Sequence, residues 1–295
     1  MKPLQNAPSR VSLTSKPDRL LTEPLVHVAL LEDLAHGGDI TTDAIVPPEL
    51  RTTARIVARQ DGVIAGLDAA LLAFELLEPG ATHVNVLVPD GAEVTRGTVV
   101  AELEGPARVL LTGERTMLNL LCRLSGIATA TRRLVNAVAG TRAQVIDTRK
   151  TTPGLRVLEK YAVRCGGGGN HRFGLDDAVL IKDNHLALAG SIHEAVARVR
   201  ARNGHMVKVE VEVDTLEQLR EALREPIDAV LLDNMEPAML QEAVRIVDGA
   251  ILTEASGGVR PETIAAIAAT GVDLISVGWL THSAPALDLA LDIAL

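Results

Sequence analysis

Aromatic side chains are nearly missing from this chain: two Phe, one Tyr and one Trp stand among 295 residues. A core with so few rings must rely on Ala, Leu, Val and Ile, the usual filling of buried parallel strands covered by helices. Cysteine is almost as scarce. Cys122 and Cys165 make no CxxC, and the eight histidines show no HExxH spacing, which disfavours a zinc site. Two cysteines in so long a chain fit a reducing compartment better than a disulfide scaffold. No apolar run reaches the roughly 18 residues of a membrane span. The polar, Pro- and Ser-rich start (1–20) has no apolar signal core and reads as a flexible leader, so a cytoplasmic location is expected. Positive charge is also short. A net charge of −9 argues against nucleic acid as a partner. Small anionic ligands stay open, provided that basic residues gather locally.

What is present is apolar content of 47% with moderate charge, which excludes disorder. A helical pattern begins near Leu20, with Leu25, Val28, Ala29, Leu31 and Leu34 on one face, and stops at Gly37-Gly38. Strands are expected at Arg55–Arg59, His83–Val88 and Val99–Leu103, with a helix at 69–77 between the first two. This part, 21–125, reads as a compact α+β domain. A helix follows from Gly113 to Val138, broken around Ser125-Gly126. Six β–α units then repeat, with strands near residues 143–147, 178–181, 207–213, 229–232, 250–253 and 274–277. Such alternation predicts a parallel sheet over 126–281, closed or nearly closed into a barrel. An open doubly wound sheet is the alternative, and periodicity alone does not separate the two. Neither GxGxxG after a strand nor any Gly-Lys pair occurs, which favours the barrel slightly. Residues 282–295 read as a C-terminal helix that could pack back on the first domain.

In a parallel barrel the chemistry sits at the C-terminal strand ends. Here those ends read Asp147-Thr148-Arg149-Lys150, Lys182-Asp183-Asn184-His185, Glu210 and Glu212, Asp233-Asn234, Glu254 with Ser256-Gly257-Gly258, and Gly278. One such end would be an ordinary solvated loop entry; six in succession are a poor fit to that reading. From Asp147 to His185, seven basic residues face five acidic ones, so the segment is positive within an acidic chain. Only six lysines occur, and Lys150 and Lys182 each close a strand. Lys offers phosphate a compact point charge, and Arg offers carboxylate a planar fork. Arg149-Lys150 therefore suggests a ligand with both anion types. Gly166 to Gly169 could be a plain linker, or a backbone that turns its amides toward an anion. Ser256-Gly257-Gly258, before a helix expected near Pro261, repeats the second option. Glu212 and Asp233 close neighbouring strands and suggest Mg²⁺ shared with phosphate, with acid–base work as the competing role. Glu210 could point outward as a structural partner.

These residues resemble a known family. The runs Asp147–Arg156, Glu159–Val163, Cys165–Arg172 and Leu180–His185 are similar to the signature of quinolinate phosphoribosyltransferases. So are Gly38–Thr42, Gly113-Glu114-Arg115, Ser125–Thr129, Val211-Glu212-Val213, Leu232-Asp233-Asn234 and Glu254–Gly258. The likeness spans nearly the whole chain. It implies an N-terminal α/β sandwich domain and an incomplete, TIM-like parallel α/β barrel of the type II phosphoribosyltransferase kind. It also implies a homodimer, which could assemble further into a hexamer. The implied reaction is a pentosyl transfer in NAD synthesis. Quinolinate and phosphoribosyl pyrophosphate, with Mg²⁺, give nicotinate mononucleotide, pyrophosphate and CO₂. Under the resemblance, Arg149, His171 and Arg172, beside Thr148, hold the two carboxylates, with Arg115 added from the partner subunit. Lys150 and Lys182 face phosphoribosyl pyrophosphate, and Glu212 and Asp233 face its Mg²⁺ and ribose hydroxyls. Ser256, Gly257, Gly258 and Gly278 cradle the 5′-phosphate, joined by His282. One departure is Trp279, which follows Gly278 where the family more often has a small residue. A nicotinate phosphoribosyltransferase would need cations for one carboxylate only. A molybdenum-transport-associated paralogue shares the fold, and a non-catalytic phosphosugar-binding protein would lack a lysine or acidic residue that is present here.

Overall fold

In the computed structural model, which describes residues 15–293, the chain forms two compact units. Most of the expected leader, 1–14, and residues 294–295 lie outside the described residues. The first unit runs to Leu121 and takes in the segment from Leu289; the second is Cys122–Asp288.

The first unit holds α1 (Arg19–Leu34), α2 (Ile40–Ile45), β1 (Arg51–Ala58), β2 (Gly62–Val63), α3 (Leu67–Leu77), β3 (His83–Val86), β4 (Glu93–Val94), β5 (Val99–Pro106) and the start of α4 (Ala107–Ala137). Asp18 caps α1, its carboxylate accepting the Leu20 N–H at 2.8 Å. The buried face of α1 is Thr22, Val26 and Leu30, not the expected one: Val28 is 63% and Leu31 53% exposed. In a helix with aliphatic residues on several faces, propensity does not choose the inner one. Packing against α3 does.

The second unit continues α4 and adds β6 (Gln144–Ile146), α5 (Arg156–Cys165), β7 (Val179–Ile181), α6 (Asp183–Ala189), α7 (Ile192–Arg202), β8 (Val209–Val213), α8 (Leu216–Ala222), β9 (Ala229–Asp233), α9 (Pro237–Val247), β10 (Leu252–Ser256), α10 (Ile264–Ala268), β11 (Leu274–Ser276) and α11 (Trp279–His282). The chain ends in β12 (Leu289–Ile293). Strands β6 to β11 form one parallel sheet in the order β6-β11-β10-β9-β8-β7. Each strand from β7 on neighbours the next in sequence, and the last pairs with the first. That order wraps around a centre, whereas a doubly wound sheet would reverse direction at a switch point. Among the described residues β6 and β7 do not pair, and the outer edge of β6 instead meets Gly169, ahead of β7, in a parallel bridge to Ile146. The unit is thus an incomplete parallel α/β barrel.

Three expectations are corrected. Residues 286–293 do not form a helix: β12 pairs antiparallel with β1, Ala54 opposite Ile293 and Ala58 opposite Leu289. Leu-Ala-Leu has high helix propensity, but alternate burial of Leu289 and Leu291 on the free edge of β1 wins. Helix α4 is unbroken at Gly126, where an added Cβ would meet the Pro285 carbonyl oxygen at 2.1 Å. Glycine there permits a close backbone approach. Finally, α10 begins at Ile264, too far along to present its amides to the Ser256-Gly257-Gly258 turn.

Candidate active site

A cavity of about 850 Å³ opens at the C-terminal ends of the barrel strands. Its wall includes Thr148, Arg149, Lys150, His171, Arg172, Lys182, Glu212, Asp233, Ser256, Gly257, Gly258, Gly278 and His282. All the residues expected at the site except Arg115 therefore meet in one place. Arg115 is exposed on α4, within the first unit.

The loop after β6 is fastened from below. Asp147 and Lys160 are fully buried and ion-paired. Burial pushes the Asp147 carboxyl up and the Lys160 ammonium down, against their mutual attraction. Asp147 also accepts the His171 N–H at 2.9 Å and the Asn170 amide at 2.6 Å, while Lys160 donates to the His171 carbonyl at 3.0 Å. Lys160 is thus an internal strut, not one of the ligand-facing cations. Glu159, also buried, accepts the Thr152 N–H at 3.0 Å and its hydroxyl at 2.8 Å, and pairs with Arg123. Thr281 donates its hydroxyl to the Lys150 carbonyl at 2.9 Å. Main chain on both sides of Arg149-Lys150 is therefore anchored, and the side chains are left for the cavity.

Gly166 to Gly169 do not serve an anion. Their amides donate to Ala162, Arg164, Val163 and Val145 carbonyls at 2.8–3.0 Å. A Cβ at Gly166 would sit 2.5 Å from the Ala128 oxygen, and one at Gly168 would sit 2.8 Å from Thr131 and Val163. The run lets the chain cross α4 closely.

Arg149 and Arg172 converge without enough compensation. The Arg149 Nε is buried and has no hydrogen-bond partner. Arg172 donates one Nη to the Ala178 carbonyl at 2.8 Å. Burial and the neighbouring Arg149 charge pull Arg172 below the usual guanidinium range. Two guanidiniums held this way invite an anionic ligand with more than one acceptor group. Lys182 is paired with Glu212, and Asn234 donates to Asp233 at 2.6 Å. Asn234 holds φ +50, an uncommon value for a non-glycine residue and one found often at functional sites.

His171 is held through both ring nitrogens. Its Nδ1 accepts the Arg172 N–H at 2.7 Å, so the ring proton is on Nε2, 3.1 Å from Glu210 and 3.5 Å from Glu254. Both nitrogens are engaged within the protein, and the ring orients Arg172. Burial would lower the His171 pKa, but Glu210 and Glu254 outweigh it and raise it. The Arg172 amide, aimed at Nδ1, opposes that second proton. Glu210 does not point outward: two positions from Glu212, it shares that residue's face of β8. Glu254 is pushed up to about 8 by burial and by the adjacent Glu210. The three groups bring ligand atoms within 4.8 Å of one another. Glu254 had shown only as a strand-end acid, and neither its burial nor its partners can be read from spacing.

An α/β barrel with paired arginines, two mouth lysines and two carboxylates defines a protein that handles a carboxylate ligand beside a phosphate. Comparison with known families narrows that class. Residues 39–125 match the N-terminal domain and 127–292 the C-terminal domain of quinolinate phosphoribosyl transferase. The chain belongs to this family. It is 50% identical over 269 residues to the nicotinate-nucleotide pyrophosphorylase [carboxylating] of Mycobacterium leprae, covering 90% of this chain and 94% of that protein. It is 46% identical over 278 residues to a probable enzyme of the same name from Bacillus subtilis, covering 94% and 95%. The solved nicotinate-nucleotide pyrophosphorylase of Francisella tularensis superposes with a TM-score of 0.91 at 40% identity, covering 95% of this chain and 99% of that one.

Proposed function

We propose that the chain is a quinolinate phosphoribosyltransferase, a pentosyltransferase that joins quinolinate to phosphoribosyl pyrophosphate and releases pyrophosphate and CO₂ to give nicotinate mononucleotide. The observation that carries this is the Arg149–Arg172 pair, with a buried donor on Arg149 that no protein group satisfies. One carboxylate would not balance two guanidiniums, which favours a pyridine dicarboxylate over nicotinate. Thr148 lines the same wall.

Departure of pyrophosphate leaves an oxocarbenium-like ribose, so the protein's task is to align the pyridine nitrogen and neutralise the leaving group. Lys150 and Lys182 supply that charge. Once the nitrogen is alkylated, the ring cation stabilises the carbanion formed by loss of the adjacent carboxylate. No covalent enzyme nucleophile is needed. Glu212 and Asp233 fit Mg²⁺: each offers hard oxygens at the mouth, and each keeps one oxygen outside its pairing with Lys182 or Asn234. When bound, the ion would add charge neutralisation at the phosphates. Ser256, Gly257, Gly258 and Gly278 bring backbone to the 5′-phosphate, with His282 at the rim.

A homodimer is supported by apolar side chains left open on the first unit, with Leu20 82%, Ile40 75% and Ile45 73% exposed. Arg115, exposed on α4, would complete the partner's site. The acidic net charge speaks against nucleic acid, and no described helix is long and apolar enough to cross a membrane. A cysteine count of two in a chain this long supports a cytoplasmic setting. The test is to mix protein, quinolinate, phosphoribosyl pyrophosphate and Mg²⁺ and to follow nicotinate mononucleotide. Formation at enzymatic rates, lost in Lys150→Ala with the fold intact, is expected; no product above background overturns the assignment.

A further inference from the structure

The two glycine turns at the cavity are tied together by a residue that the family likeness does not explain. Trp279 donates its indole N–H to the Val259 carbonyl at 3.0 Å. This bond joins the turn after β11 to the turn after β10. Both turns line the cavity, as do Trp279 and Val259 themselves. Gly257, at φ +91, could not be replaced there: an added Cβ would lie 2.1 Å from the Asn234 Oδ1. The next residue after Val259 is Arg260, which also lines the cavity. Its main chain is held on both sides, the N–H donating to the Thr263 hydroxyl at 3.0 Å and the carbonyl accepting the Ile264 N–H at 2.9 Å. Its guanidinium has no ion pair or hydrogen bond among the described residues.

Charge makes the position informative. Ser256, Gly257, Gly258 and Gly278 bring dipoles but no net charge, and the His282 ring is hydrogen-bonded to the Ser283 hydroxyl at 2.6 Å. Asp233 lies beside Ser256 in the β9–β10 register and adds negative charge. A phosphate monoester needs cations to offset that carboxylate. Lys150 stands near Gly278, with its Cδ 2.8 Å from where a Cβ would stand, but its charge is committed to the leaving pyrophosphate. Arg260 is the cation that these turns themselves supply.

We propose that Arg260 is a phosphate-binding residue of the 5′-phosphate cradle, and that Trp279 is the positioning residue that holds it there through Val259. The inference rests on reading the cavity as a phosphoribosyl site. Trp279 is the chain's one tryptophan, so its fluorescence reports on this cradle without any turnover. Titration with ribose 5-phosphate should change that fluorescence saturably, and ribose should not. Arg260→Ala should weaken ribose 5-phosphate about tenfold or more, and Arg260→Lys should recover part of the loss. Quinolinate affinity, read by calorimetry, should stay unchanged in both. Trp279→Phe, which keeps a ring but loses the N–H, should weaken ribose 5-phosphate several-fold by calorimetry and raise KM for phosphoribosyl pyrophosphate more than it lowers kcat. Wild-type affinity in Arg260→Ala, an equal response to ribose, or no saturable binding by the native protein would each overturn the proposal. A native protein that binds ribose 5-phosphate yet makes no nicotinate mononucleotide would instead defeat the functional reading and leave this one standing.

Discussion

Replacing Gly278 by alanine asks whether the position of Lys150, and not only its charge, matters. Gly278 has φ −66° and ψ −41°, which alanine adopts without strain. A Cβ there would lie 2.8 Å from Lys150 Cδ, whereas two carbons settle at about 3.5–4.0 Å. The lysine must therefore yield by roughly 1 Å, and its ammonium moves with it. Because the displaced atom belongs to a flexible side chain, the fold is hardly taxed. A glycine-to-alanine change at an allowed conformation gains about 0.4–1 kcal/mol through the unfolded state, which offsets a small repacking cost. Stability in urea should stay within about 1 kcal/mol of the parent. Turnover should not. A shift on the order of 1 Å at a positioned group costs about 10²-fold, near 2.7 kcal/mol of barrier. The assay is kcat/KM for phosphoribosyl pyrophosphate at saturating quinolinate, read by nicotinate mononucleotide formation, beside a urea curve. Parental kcat/KM with parental stability would refute the placement of Lys150 as a group whose exact seat matters. A stability loss above about 2 kcal/mol would refute the claim that the clash falls on a yielding atom.

Glu254→Gln should flatten the pH dependence of stability. Glu254 holds its proton up to about pH 8 in the folded chain and only to the ordinary carboxylate range when unfolded, so the native protein loses stability as pH rises between those values, by up to about 1.4 kcal/mol per unit. Urea midpoints at pH 5.5 and pH 8 that fall equally in both proteins would contradict this. Lys160→Met strands the buried Asp147 carboxylate and should destabilise the fold by about 3–5 kcal/mol in urea, and a loss under about 1 kcal/mol would show that the pair is not a strut. Gly126→Ala should lower the urea midpoint: the gain in helix propensity of about 1 kcal/mol is outweighed by a Cβ 2.1 Å from a backbone oxygen that cannot swing away. A higher midpoint would refute it.

The parts legible in the amino-acid sequence were those decided locally. Val209–Val213 and Ala229–Asp233 announce themselves through β-branched and aliphatic runs, and their acidic ends fall where a parallel barrel keeps its chemistry. Arg149 and Lys150 were readable because charge after an apolar strand has few structural uses. What stayed hidden depends on distant partners. Leu289–Ile293 is a strand only because β1 offers a free edge. Gly126 and the run Gly166–Gly169 mimic a break and an anion loop, but each answers to a chain segment far along the sequence. His171 lines the cavity, yet its hydrogen bonding follows from Glu210, Glu254 and the Arg172 amide, which no spacing rule connects.

Five cations at or beneath the cavity, Lys160 and Arg123 against Arg149, Lys150 and Arg260, divide into two kinds, and the division helps to explain how an acidic chain holds an anion site. Lys160 and Arg123 point inward, where Asp147 and Glu159 neutralise them, and both pairs end on the main chain of the loops that carry Arg149, Lys150, His171 and Arg172. Lys150 and Arg260 pair with no carboxylate among the described residues, and Arg149 keeps an unsatisfied buried donor. The first population orders the loops during folding, when conformational entropy is lost in any case. The second therefore meets its ligand with little left to freeze, and the charges act on developing negative charge without reorganising. Neutralising an inner pair should then harm catalysis through loosened loops, with KM and kcat both affected, whereas removing an outer cation should act on the group that it faces.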